Sequence, residues 1–208
     1  MSRFDRGSSG HAKRLGWPLH KKQGIFPYGF LIFALYSISA GMVSSAGTGL
    51  FSGLPLGIIV LLGIVSTFIG SMIGWLIGAA MYTWVGKWLG GKGTFSDMAR
   101  LFPAFSLLMI WLAPMHLAMV VMYGPELFDT PTSQFAFTNL PIGVYLLTNV
   151  VTLAIGIYGV VITCKGIGLV HGFSAMRGFG VILIIIAIGV LLAIVLAFAF
   201  SAMLFSII

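Results

Sequence analysis

Apolar residues in this chain come in long, nearly unbroken runs, not in the alternating or half-helical patterns of soluble elements. The runs cover about residues 26–46, 55–85, 98–122, 140–163 and 179–206. A helix needs roughly 20 apolar residues to cross a hydrocarbon core about 30 Å thick. Backbone groups inside that core must bond within their own segment, which favours helices. The pattern therefore predicts an all-α polytopic membrane protein. A basic tail over residues 1–24 leads into a five-helix transmembrane domain over 25–208.

The polar interruptions give each run its expected limits. Ser37, Ser39, Gly41, Ser44 and Ser45 make the second half of the first run small and polar, so it should face protein. Ser44-Ser45-Ala46-Gly47 resembles a signal-peptidase site, but the basic stretch before it is too long, and an uncleaved helix is expected. Pro55 suits the first turn of the second helix. That run would be about 46 Å long, so it must tilt, project or bend. Asp97 or Ser96 is the expected cap of the third helix, which contains Pro103 and Pro114. Pro114 should free the Ile110 carbonyl and kink the helix. Residues 123–138 read as a turn-rich loop with Glu126 and Asp129, and residues 164–178 as a second loop.

Composition and charge sharpen this picture. Hydrophobic residues make up 59% of the chain and charged residues 7%. A soluble domain carries roughly 25% charged residues, so this chain could not cover a soluble surface. Arg3, Arg6, Lys13, Arg14, Lys21 and Lys22 lie in the tail; Lys87, Lys92 and Arg100 follow the second run; Lys165 and Arg177 follow the fourth. With five spans, all eleven basic residues fall on one side. Basic residues stay in the cytoplasm, so the N-terminus is expected there and the C-terminus on the far side. The net charge of +7 is accordingly read as topology, not as nucleic-acid binding. Near anionic headgroups each basic residue of the tail would contribute about 1 kcal/mol.

Two helical faces are lined with small residues. Gly63, Thr67, Gly70, Gly74 and Gly78 recur every three or four positions, as do Asn149, Thr152, Gly156, Gly159 and Thr163. Such faces let backbones approach closely. The two are expected to mate, with Asn149 donating a hydrogen bond between helices. Homodimerisation or docking of a foreign helix through one seam is the alternative use.

Candidate chemistry is sparse. Gly86 to Gly93 reads GKWLGGKG, close to a phosphate-binding loop. Gly93 stands where that loop needs a hydroxyl, and a helix precedes it instead of a strand, which argues against nucleotide hydrolysis. The simplest reading is a tight turn; the functional reading is a lipid or partner contact by Lys87, Gly90, Gly91, Lys92, Lys165, His171 and Arg177. Of four histidines only His116 lies inside a span, so no bis-histidine haem is expected from this chain alone. His116 should satisfy a backbone group near Pro114. Cys164 has no cysteine partner and no metal-ligand spacing occurs. No span holds an acidic residue, which lowers the case for ion-coupled transport. No nucleophile–base pair is present, so no enzyme activity and no cofactor are expected.

The residues do resemble a family. Tyr82 and Lys87-Trp88-Leu89-Gly90-Gly91-Lys92-Gly93-Thr94-Phe95, followed by a helix with Pro103 and Pro114, look like the central signature of the Yip (Ypt/Rab-interacting protein) domain family. Tyr158-Gly159 through Lys165-Gly166-Ile167 and Val170-His171-Gly172-Phe173-Ser174 are similar to its second conserved segment. The resemblance implies five membrane helices with a cytoplasmic N-terminus. Eukaryotic members are associated with Rab GTPases and vesicle trafficking and carry an Asp-Leu-Tyr-Gly-Pro motif in a longer cytoplasmic region. This tail has none, and Tyr123-Gly124-Pro125 falls in a far-side loop. The compact form is similar to prokaryotic members, so a prokaryotic cell (inner) membrane is expected ahead of a secretory-pathway membrane. The resulting expectation is a non-enzymatic membrane binding or scaffold protein, an accessory subunit or organiser of a larger assembly. Its partners would be lipids and other integral membrane proteins, with a homo-oligomer also compatible. A small transporter or channel is the alternative, and a membrane subunit of a redox complex a further one.

Overall fold

A computed structural model describes residues 25–131 and 138–205; the expectations for the 1–24 tail lie outside these residues. The described chain is helical and contains no strand. Helix α1 spans Ile25–Gly41, α2 Leu56–Trp88, α3 Phe95–Ile110, α4 Ala113–Tyr123, α5 Ile142–His171 and α6 Ala175–Phe205. A 3-10 turn at Gly124–Phe128 follows α4.

Three helices, α2, α5 and α6, are long and apolar enough to cross a membrane. Helices α3 and α4 make a fourth span only if counted together, because they meet at 47°. Helix α1 has 17 residues and is replaced by turns from Met42 onward, so its span is shorter than the apolar run suggested.

The break between α3 and α4 has a chemical cause. Pro114 sits near the start of α4 and cannot donate to Ile110, so the helix stops at Ile110 and restarts at Ala113. Pro103, by contrast, stays inside an unbroken α3. The Ala99 carbonyl that it leaves without a helical donor accepts the Trp75 indole N–H at 2.8 Å. That bond holds α2 against α3 in the core formed by Phe33, Trp75, Ala79, Val85, Met98, Ala99, Ile167 and Val181. A second cluster at the opposite end joins Met42, Ile59, Val120, Leu127 and Phe128.

Helix α1 packs on α2 and α3, α3 lies between these and α5, and α6 pairs with α5 while touching α2. This arrangement does not bring the two small-residue seams together. Gly63 instead lies against the Gly41 backbone of α1, where a Cβ would come within 2.9 Å of Ser44 Oγ. Gly78 makes room for the Phe102 ring of α3. Among the described residues Gly70, Gly74 and Gly156 meet nothing within 4 Å, and Gly159 meets Leu108 of α3 at 3.7 Å. Thr67 is half-buried and Thr152 exposed. Phe102 of α3 packs at Gly78 of α2, and Leu101 and Phe105 of α3 pack at Gly166 of α5. Thr163 turns inward on its own helix, donating to Gly159 at 2.8 Å.

Candidate functional site: a glycine cradle around His171

Helix α2 ends in a Schellman turn. Gly90, at φ 82°, adopts the left-handed conformation that favours glycine. Its N–H donates to Lys87 at 3.0 Å, and the Gly91 N–H donates to Gly86 at 2.9 Å. The chain then leaves along Lys92 and Gly93 and enters α3 through a capping box. The Asp97 N–H donates to Thr94 Oγ1, and the Thr94 N–H donates to Asp97 Oδ2, both at 3.3 Å. The expected cap was one of the two neighbours, Asp97 or Ser96. Asp97 takes part as the third helical residue, not as the cap.

The second motif closes onto this turn. Of the expected loop at 164–178, residues 164–171 continue α5 as helix and residues 175–178 open α6, which leaves a turn over 172–174. Gly166 lets Leu101 and Phe105 of α3 pack directly on the helix, with a Cβ there coming within 2.8 Å of Leu101. Gly172, at φ 73°, then reverses the chain, and the Phe173 N–H closes on Gly168 at 3.0 Å.

His171 is where the two motifs meet. Its carbonyl accepts the Lys92 N–H at 3.1 Å, and its Nδ1 accepts the Gly93 N–H at 3.3 Å. Its ring stacks on Phe173 at 5.3 Å between centroids and is 1% exposed. A Cβ at Gly86 or Gly91 would collide with the imidazole, and one at Gly93 would lie 2.9 Å from Nδ1. Three glycines thus form a cradle whose size is set by one histidine ring. Because Nδ1 accepts, the neutral ring carries its hydrogen on Nε2. Nε2 is buried with no well-formed hydrogen-bond partner among the described residues.

Around the cradle Lys87, Lys92, Arg100, Lys165 and Arg177 are all exposed. These are all the basic residues among those described, and they stand at one end of the helices. The opposite end carries Glu126 and Asp129. Of the anticipated contact residues, His171 is buried and Gly91 half-buried against its ring, while Gly90 and the four cations Lys87, Lys92, Lys165 and Arg177 are exposed.

A second feature lies toward the acidic end. A cleft of about 340 Å³ is lined by His116, Met115, Met119, Tyr145, Asn149 and Thr152, among others. His116 Nδ1 donates to the Ser39 carbonyl at 2.8 Å, near the end of α1, and the Ser39 hydroxyl donates to Met109 at 3.1 Å beside the α3–α4 break. His116 therefore serves a backbone carbonyl, as anticipated, but that of α1 and not of α3. Asn149 donates within its own helix, to Tyr145 at 2.8 Å, so it makes no interhelical bond to α2. Sequence reasoning missed Trp75, whose role could have been found from the carbonyl that Pro103 must leave open. Among the described residues no group of three metal-ligating side chains is assembled.

Comparison with protein families matches residues 18–198 to the Yip1 domain. No curated protein and no solved structure matches the chain. The matched stretch contains every described helix up to Phe198 of α6 and both halves of the cradle. The apolar helices and this match make the chain an integral membrane protein belonging to the Yip1 domain family.

Proposed function

We propose that the protein is a non-enzymatic binding or scaffold component of a larger membrane assembly, and that partners meet its basic end. The observation that carries this reading is the cradle. Gly86, Gly91 and Gly93 of the first motif enclose His171 of the second, so the two sequence motifs that resemble the family's conserved segments lock together at this end. Four cations, Lys87, Lys92, Lys165 and Arg177, project around it. Charge at a rim steers encounter and selects partners. On this reading the basic end faces the cytoplasm, as the positive-inside rule favours, and the bent α3–α4 pair and the short α1 add two passes to the three long helices. Extraction from native membranes in mild detergent should retain a second integral membrane protein or a second copy. A lone monomer, both in detergent and in native-like lipid, would contradict the proposal.

The cleft beside His116 and Asn149 favours a second reading, a small transporter or channel. Polar groups within a membrane domain often line a pathway. Solute flux through reconstituted liposomes, abolished by His116→Leu, would support it over the scaffold reading. The third reading, a subunit of a redox complex, requires that an assembly containing this chain show a Soret or flavin band that the pure chain lacks.

A further inference from the structure

At the elbow between α5 and α6 the two helices meet backbone to backbone. A Cβ at Gly178 would press on the Cys164 carbonyl group, 3.1 Å from its carbon. Beside this contact runs a groove of about 270 Å³, lined by Val160, Val161 and Cys164 of α5 and Met176 and Phe179 of α6. Its one charged lining residue is Lys165. A wider hollow of about 480 Å³, floored by Gly168, Gly172 and Phe173, shares Lys165 and Ala175 with the groove. Lys165 is exposed and makes no ion pair among the described residues.

We infer that this elbow is a binding site for one anionic glycerophospholipid. Its phosphate sits against Lys165 in the wider hollow, and an acyl chain lies along the apolar groove. The commitment to an anionic lipid rests on charge complementarity. Every described basic residue stands at this end of the helices, and a cation at the head of an apolar groove matches a molecule with its charge at one end and hydrocarbon at the other. A lysine can also reach along its stem to a headgroup while its methylenes stay in contact with apolar neighbours. Ala175, the first residue of α6, lies on the rim, so the positive end of that helix adds to the same field. The site stands whether or not a protein docks on the neighbouring Gly90–Lys92 turn, so it goes beyond the scaffold reading.

Native mass spectrometry of the full chain, titrated with phosphatidylglycerol and phosphatidylcholine of identical acyl chains, tests this. Wild type should hold one phosphatidylglycerol at least several-fold more than phosphatidylcholine. Lys165→Gln should remove that preference, while Lys92→Gln, outside the groove, should keep it. Val161→Trp, which fills the groove from an exposed position, should reduce retention of both lipids. Inorganic phosphate at millimolar concentration should not displace the lipid, because the chain is needed; displacement would identify a plain anion site and overturn the inference. Equal retention of the two lipids by wild type, or an unchanged preference in Lys165→Gln, would also overturn it.

Discussion

The Trp75 indole N–H donates to the Ala99 carbonyl at 2.8 Å, the carbonyl that Pro103 leaves without a helical donor. One proline therefore creates the acceptor that fastens α2 to α3. Trp75→Phe removes the donor and should cost about 1–3 kcal/mol, the range for a buried group left unsatisfied. The ring also packs on Phe33 at 5.4 Å, so a double-mutant cycle is needed to isolate the bond. In a Pro103→Ala background the new residue 103 N–H can serve Ala99, and Trp75→Phe should cost measurably less. Thermal unfolding in one fixed detergent reads both arms; equal costs in the two backgrounds would remove this account of the bond.

The cradle makes a sharper demand. Gly86→Ala or Gly91→Ala places a methyl into the His171 ring, and overpacking of this kind costs typically about 1–3 kcal/mol. The penalty at Gly86 should shrink when His171 is also changed to Ala, since the obstruction is gone. Gly90→Ala meets open space and should lose only about 1–2 kcal/mol, from its left-handed backbone, whatever stands at 171. Unfolding midpoints of the single and paired variants check the pattern.

On the α2 seam the same substitution should divide the glycines. Gly63→Ala and Gly78→Ala meet the Gly41 backbone and the Phe102 ring and should destabilise. Gly70→Ala and Gly74→Ala meet nothing and should be neutral or stabilise by about 0.5–1 kcal/mol through helix propensity. If a second copy or a foreign helix uses the open part of the seam, Gly70→Ile should leave the isolated chain folded and deplete the co-purified partner.

Topology is open to direct labelling. In a Cys164→Ala background, single cysteines at Lys92 and Arg177 should react with an impermeant maleimide only when the cytoplasmic face is accessible. A cysteine at Asp129 should react only from the other face. Lys92 and Asp129 labelling from the same side would refute the proposed threading.

Much of this architecture was legible because it follows from hydrophobic length and charge. The helix positions, the interruption near Pro114 and the gathering of Lys87, Lys92, Arg100, Lys165 and Arg177 at one end all follow from such terms. The pairing of faces was not legible. Small-residue spacing defines a helical stripe but not what lies opposite it: Gly41 and Phe102, on other helices, meet the α2 stripe at Gly63 and Gly78 and leave Gly70 and Gly74 open. The stretch from Cys164 to His171 is helix and not the expected loop for a related reason. Its glycines lower intrinsic helicity, yet Gly166 and Gly168 serve close packing against Leu101, Phe105 and the Phe173 backbone, and that packing outweighs propensity. The same holds for Gly86, Gly91 and Gly93. Read alone they suggest a flexible turn or a phosphate loop, and only the distant His171 shows what they enclose.

The scaffold proposal meets its most direct test in photo-crosslinking within intact cells. A benzophenone amino acid placed at Lys92 or Arg177, on the rim of the cradle, should give a discrete protein adduct. The same probe at Asp129 should give none. Adducts to lipid alone at all three positions would contradict the claim that the basic end is a protein-docking platform.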